Sequence, residues 1–433
     1  MSLVQTNAVG LSARNRIVAL LAAPAVAVFL SSNVVNAGNL VFNMLFSRWM
    51  GPALFADLAF LLTIKLAVLN IFGAVQMAMS RSIAAADAGG KTVLLSAAIR
   101  LSRIGFVAGA VVALPLAALI WTGVILPGGT DAAMALGILA LALPFALPLS
   151  IARGVRGGRI DTAALALTAQ VEMGVRLVGA IAAWWLGLGI EGVVLAVAFS
   201  IVAGWAVVAL PLTTVKTASE GFQSRAFAVL VLPLAALQIA QVGLLDADVL
   251  LAKAVLTPTE TGHLAALALV QRVQVFACLG LAAVLVPQVA AAVAGGRAVW
   301  PVVKPVALIV ALVSLAVAGA ATVAPETLLS ALAGPAFAGA APQALAATGC
   351  AALFTLTYLA ASYLAALGRT NGLWLMFSAV PVQALAMWQA AAMADATGLG
   401  AMMSAKLACQ ALLCGAMIAL AMRATRSARR VSV

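Results

Sequence analysis

Apolar runs long enough to cross a lipid bilayer follow one another from residue 18 to residue 422 with only short interruptions. Hydrocarbon offers a backbone no water, so each run must satisfy its N–H and C=O groups internally, as an α-helix of about 20 residues. Twelve runs qualify: 18–46, 53–79, 97–123, 131–152, 162–187, 191–214, 226–253, 262–288, 301–324, 340–366, 371–393 and 398–422. Gly, Pro and charge mark the seams: Trp49-Met50-Gly51-Pro52, Pro127-Gly128-Gly129, Arg156 to Arg159, Thr257-Pro258, Gly334-Pro335 and Gly368 to Gly372. No seam is long enough for a folded soluble domain. The expectation is an all-α polytopic membrane protein. A charged fraction of 8% agrees, against about 25% in a soluble domain.

The net charge of +12 is a topology signal rather than a nucleic-acid groove, because the basic residues are dispersed among short loops. One alternate set of loops, including both termini, holds 18 of the 24 Lys and Arg residues, whereas the opposite set holds only Arg48. Basic loops stay cytoplasmic, so both termini are expected there and the helix count is even. Arg14, Arg16 and the following apolar run resemble a signal peptide, but the run continues to Phe46 and is read as the first span. Trp121, Trp184, Trp185, Trp300 and Trp374 fall near helix ends, as an interfacial belt requires. Cys278, Cys350, Cys409 and Cys414 lack metal spacing, and one histidine, His263, is too few for a His-based metal site or triad. No metal or other cofactor is expected. Ala85 to Thr92 ends like a phosphate-binding loop, but Ala85 stands where its first glycine belongs and a membrane helix precedes it. The chain is therefore not expected to hydrolyse ATP.

Two stretches look like copies of one unit. Arg48-Trp-Met-Gly-Pro-Ala-Leu-Phe-Ala-Asp57 precedes Lys65, and Lys253-Ala-Val-Leu-Thr-Pro-Thr-Glu-Thr-Gly262 precedes Arg272. Each begins at the outer end of an odd helix, turns at Pro and buries a cation in the next helix. The offset is six helices, an even number, so the halves run parallel. This predicts two parallel-related six-helix lobes around a central cavity: 1–215, a cytoplasmic linker 216–225, and 226–433 with its basic tail.

Polar groups inside the spans suggest what the cavity holds. Lys65, Arg176 and Arg272 lie in otherwise apolar stretches. A charge there costs about 2.5–3.5 kcal/mol even on a lenient scale, so it faces a partner or a wet cavity. A cavity lined by positive charge suits an anion. Asn33, Asn36, Asn39 and Asn43 share one face of the first span, at steps of 3, 3 and 4. Interhelical hydrogen bonding accounts for one such residue, but four on a stripe favour a polar wall, and amides suit sugar hydroxyls. Glu172 and Arg176, at i and i+4, either neutralise each other or leave Arg176 for a substrate phosphate. Gln238, Gln241 and Asp248 share a face of the seventh span, with Asp246 pointing elsewhere. Asp248, Asp246 and Glu172 are candidates for H⁺ or Na⁺ coupling, with a pair between Asp248 and Lys253 as the alternative for the first. Lys406, nearer a helix end, is expected to snorkel.

The stretch Ser47 to Asp57, the next helix, then Gln76 and Ser80-Arg81 resembles the opening of Wzx-type polysaccharide flippases. Asp246 to Lys253, Thr257 to Gly262 and Val286-Pro287-Gln-Val resemble their second half. These flippases belong to the multidrug/oligosaccharidyl-lipid/polysaccharide (MOP) exporter superfamily. The resemblance implies alternating access in the bacterial inner membrane, moving polyprenyl-diphosphate-linked oligosaccharide from the inner to the outer leaflet. It implies a basic cavity, for which Arg48, Lys65, Arg176 and Arg272 are the matching candidates, and partnership with membrane lipids and other polysaccharide-assembly proteins. It implies neither nucleic acid nor an ATPase subunit. The alternative in the same superfamily is a cation-coupled multidrug extruder, which would favour carboxylates and aromatics in its cavity. A membrane glycan transferase or polymerase would need catalytic groups on a sizeable outer loop, and the outer loops carry only scattered acids.

Overall fold

The computed structural model describes residues 24–86, 88–122, 131–209, 223–294, 298–394 and 398–431. The signal-like start before residue 24 and most of the expected 216–225 linker lie outside these. Among the described residues every regular element is a helix. In chain order they are α1 (Pro24–Ala85), α2 (Ala88–Trp121), α3 (Asp131–Ala140), α4 (Leu143–Gly158), α5 (Thr162–Trp185), α6 (Gly189–Val208), α7 (Ser224–Leu245), α8 (Asp248–Val255), α9 (Pro258–Ala294), α10 (Trp300–Val323), α11 (Pro325–Leu332), a 3₁₀ segment (Pro335–Gln343), α12 (Ala344–Ala366), α13 (Asn371–Ala392) and α14 (Gly398–Val431).

Nine of the described helices are long and apolar enough to span a membrane, or ten when α3 and α4, bent by 47°, count as one. One of the nine, Ser31–Ala85, has 55 residues. At 1.5 Å per residue it would be about 80 Å long, against a hydrocarbon core of about 30 Å. It is divided at Gly51, whose φ of 69° and ψ of 176° are non-helical. Only glycine takes that φ without a Cβ clash, and Pro52 restarts the helix where its missing N–H costs nothing. Dividing α1 there gives up to eleven candidate spans among the described residues, and the 37-residue α9 covers the run at 262–288. The protein is thus an all-α, multi-pass membrane protein. Trp121, Trp185, Trp300 and Trp374 are exposed at or near helix ends.

The seventh span is not one helix, as 226–253 predicts, but two. α7 stops at Leu245, the N–H groups of Asp246 and Ala247 both donate back to the Val242 carbonyl, and α8 begins at Asp248. α9 then starts with a capping box: Thr257 Oγ1 accepts from the Glu260 N–H while the Glu260 carboxylate accepts from the Thr257 N–H.

By contacts the chain forms two compact units. The first comprises 1–39, 76–116 and 140–222; the second comprises 40–75, 117–139 and 223–433. In the first, α4 packs closely on the second arm of α1, where a Cβ on Gly154 would meet the Gln76 carbonyl at 2.7 Å. In the second, Leu244, Val275, Phe354, Met376 and Met417 bring α7, α9, α12, α13 and α14 into one apolar core.

Candidate functional site

A continuous helix would have used the N–H groups of residues 248 and 249 to satisfy the Leu244 and Leu245 carbonyls. The break removes them. The Val249 N–H turns instead to Asp246 O and to Asp248 Oδ1, at 3.4 and 2.9 Å. In a membrane an unsatisfied carbonyl is costly, so side chains must replace the lost donors. Leu244 O accepts from Gln383 Nε2 at 3.1 Å and Gln410 Nε2 at 3.0 Å. Leu245 O accepts from Lys406 Nζ at 3.1 Å. That ammonium also donates to Asp248 Oδ2 at 2.6 Å and to Gln271 Oε1 at 2.9 Å. Gln410 donates to Gln383 Oε1 at 2.8 Å. Beside the cluster Arg272 grips Asp246 Oδ1 through both Nε and Nη2, at 2.9 and 2.8 Å. Five elements, α7, α8, α9, α13 and α14, thus converge on one helix break, with Gln271 Nε2 and Gln410 Oε1 buried and unbonded among the described residues.

Several expectations change. Lys406 does not snorkel: its side chain is 1% exposed. It lies eight residues into α14, about 12 Å from that helix start, and the buried Asp248 carboxylate holds it. Asp248 does not pair with Lys253, whose ammonium bonds Asp57 instead. Because the helix breaks between them, Gln238, Gln241 and Asp248 do not continue a single face. Glu172 has a partner outside its own helix. It accepts from Arg153 Nη2 at 2.9 Å, which also reaches Thr168 Oγ1, itself donating to the Gly204 carbonyl. Arg176 remains within the electrostatic reach of Glu172.

Other expected residues fall into place as follows. Lys65 is buried. Arg48 donates to the carbonyls of Ser330, Ala331 and Leu332, capping the C-terminus of α11, and to Met44 O of its own helix. Those carbonyls carry the negative end of the helix dipole, which a guanidinium complements. Asn33 is exposed, Asn36 and Asn39 are half-buried and Asn43 is buried. Their helix arm is seated on α5 by the Gln170 amide donating to Ser31 and by Gly38, where a Cβ would lie 2.4 Å from Met173 Sδ. Arg176 and Glu172 belong to the first unit; Lys65, Arg272, Asp246 and Asp248 to the second. Sequence reasoning missed Gln383 and Gln410. The available signal was a glutamine inside each of two apolar spans, which needs a hydrogen-bond partner as surely as a charge does.

Around the Gly51 turn the repeat-like stretches meet. A Cβ on Gly262 would lie 2.1 Å from the Pro52 carbonyl. Asp57 pairs with Lys253, and Phe55 stacks edge-on against Phe337, with centroids 5.8 Å apart. Separately, α10, α12 and α14 border a hollow of about 730 Å³, lined by small apolar side chains with the hydroxyls of Ser314 and Thr348.

No family model and no curated protein matches the chain. Solved structures do. It is similar, at 15% identity and a TM-score of 0.74, to an inward-facing multidrug resistance MATE family transporter of the MOP superfamily, over 92% of this chain and 96% of that one. An outward-facing structure described in the same terms gives 16% and 0.64 over 94% and 97%. A eukaryotic MATE transporter gives 16% and 0.58 over 97% and 99%. The chain shares the fold of these transporters. All three similar structures are transporters rather than enzymes. A broken helix that brings carboxylates and freed carbonyls together inside the membrane is a recurrent architecture for ion or substrate sites in such proteins.

Proposed function

We propose that the protein is an alternating-access exporter of an anionic, membrane-borne cargo: a flippase moving polyprenyl-diphosphate-linked oligosaccharide across the cytoplasmic membrane. One observation carries this reading. Four carboxylates set within the spans already hold a base: Asp57 holds Lys253, Glu172 holds Arg153, Asp246 holds Arg272 and Asp248 holds Lys406. These four pairs are neutral in sum. A cationic cargo would have to displace a resident base from its carboxylate, whereas an anionic cargo would not. The asparagine face of the first span suits the sugar, and the apolar hollow beside α12 suits a hydrocarbon tail. Contacts at the Gly51 turn would form the periplasmic closure, which must open for release.

The test is a host deleted for the gene. Lipid-linked repeat units should accumulate and surface glycan should fall, with both restored by the intact gene but not by Arg176→Ala or Lys65→Ala. Normal glycan in the deletion host would sink the reading.

A second reading, cation-coupled drug extrusion, is favoured by the similar solved structures, which are described as multidrug transporters. At 15–16% identity they share the fold, and cargo is a separate property. New sensitivity of the deletion host to cationic drugs, with glycan unchanged, would establish this reading instead.

A further inference from the structure

We infer that the break between α7 and α8 is an oxygen cage for a small monovalent cation, and that the Lys406 ammonium is the cation that fills it. An ammonium has three N–H donors. Here each meets a different kind of oxygen: the Asp248 carboxylate at 2.6 Å, the Gln271 amide at 2.9 Å and the Leu245 backbone carbonyl at 3.1 Å. A plain ion pair needs only the first. Carboxylate, amide and backbone oxygens together are the hard donor set that alkali cations take, and the freed carbonyls at the C-terminal end of α7 add the negative end of its dipole. The cage is dry: the Lys406 and Asp248 side chains are 1% and 0% exposed. It is also built rather than incidental, since Gln383 and Gln410 hold the adjacent Leu244 carbonyl and each other. The counter-cation is therefore covalently attached to the chain, and the intact protein needs no inorganic cation at this site. The inference is independent of the cargo.

It is tested on purified full-length protein by comparing melting temperatures in sodium chloride, ammonium chloride and choline chloride at equal ionic strength. Choline is too large for the cage. The unaltered protein should melt at the same temperature in all three salts. Lys406→Ala leaves the oxygens and removes their cation. It should melt about 5 °C or more lower in choline and recover about 5 °C in sodium or ammonium, as expected for a ligand that binds only the folded state. Lys406→Ala/Asp248→Asn removes the anionic wall as well and should melt alike in all three salts. The cage is overturned if Lys406→Ala gains nothing from either small cation, if the double variant gains as much as the single one, or if the unaltered protein responds equally. It is equally overturned if Lys406→Ala folds in none of the salts while the double variant folds.

Discussion

The pairs Lys253–Asp57 and Lys406–Asp248 join the same two residue types, and both use the eight-residue α8, yet their settings differ sharply. The first has side chains 30% and 20% exposed at the Gly51 turn; the second has side chains 1% and 0% exposed at the helix break. In the first, water screens the attraction and takes over when the pair opens. In the second, nothing replaces a lost partner, because the low dielectric that strengthens the pair also penalises an orphaned charge. The same bond is therefore an openable contact at one end of α8 and a fixed structural member at the other.

The comparison is broken most severely by Asp248→Asn, which strands the Lys406 charge. A loss of about 3–5 kcal/mol is expected, seen as a collapsed yield of folded protein and a lower unfolding midpoint in detergent. Replacing both partners, Asp248→Leu with Lys406→Met, should restore most of it, because a buried pair is worth little beyond its apolar replacement. Next comes Asp246→Asn, which weakens a two-pronged contact to a less buried Arg272. About 1.5–3 kcal/mol is expected, as for a hydrogen bond to a charged group, by the same measurement. Gly262→Ala sharpens the contrast at the other end: its new Cβ, 2.1 Å from the Pro52 carbonyl, forces the turn apart. It should cost about 1 kcal/mol or slightly more and raise maleimide labelling of a cysteine placed at Ala53. Smallest is Lys253→Ala, at most about 1 kcal/mol and shrinking with added salt. Its effect should appear in transport rate rather than in the melting curve.

What the sequence revealed and what it hid follow the same divide. The bilayer imposes length, so apolar runs located the spans, and Gly51-Pro52 announced its own turn because glycine accepts a positive φ and proline suits a helix start. The break at Asp246-Ala247 had no such signal: neither residue is Gly or Pro, and the apolar run resumes directly beyond the two aspartates. Once that break is missed, a helical wheel drawn through it assigns the wrong face to Asp248 and offers Lys253 as its partner. The true partner, Lys406, is 158 residues away, a pairing that periodicity cannot show. Arg153 reaches Glu172 from another helix for the same reason: spacing along one helix does not show what packing between helices brings together.

α8 has one further consequence. Asp248 anchors its dry foot to α14 and Lys253 its wet foot to the second arm of α1, five residues apart on a rod of only two turns. A rod that short cannot bend to absorb a displacement. Any tilt that carries Lys253 away from Asp57 must pivot about Asp248, so the buried end acts as the fulcrum of a lever whose free end is at the Gly51 turn.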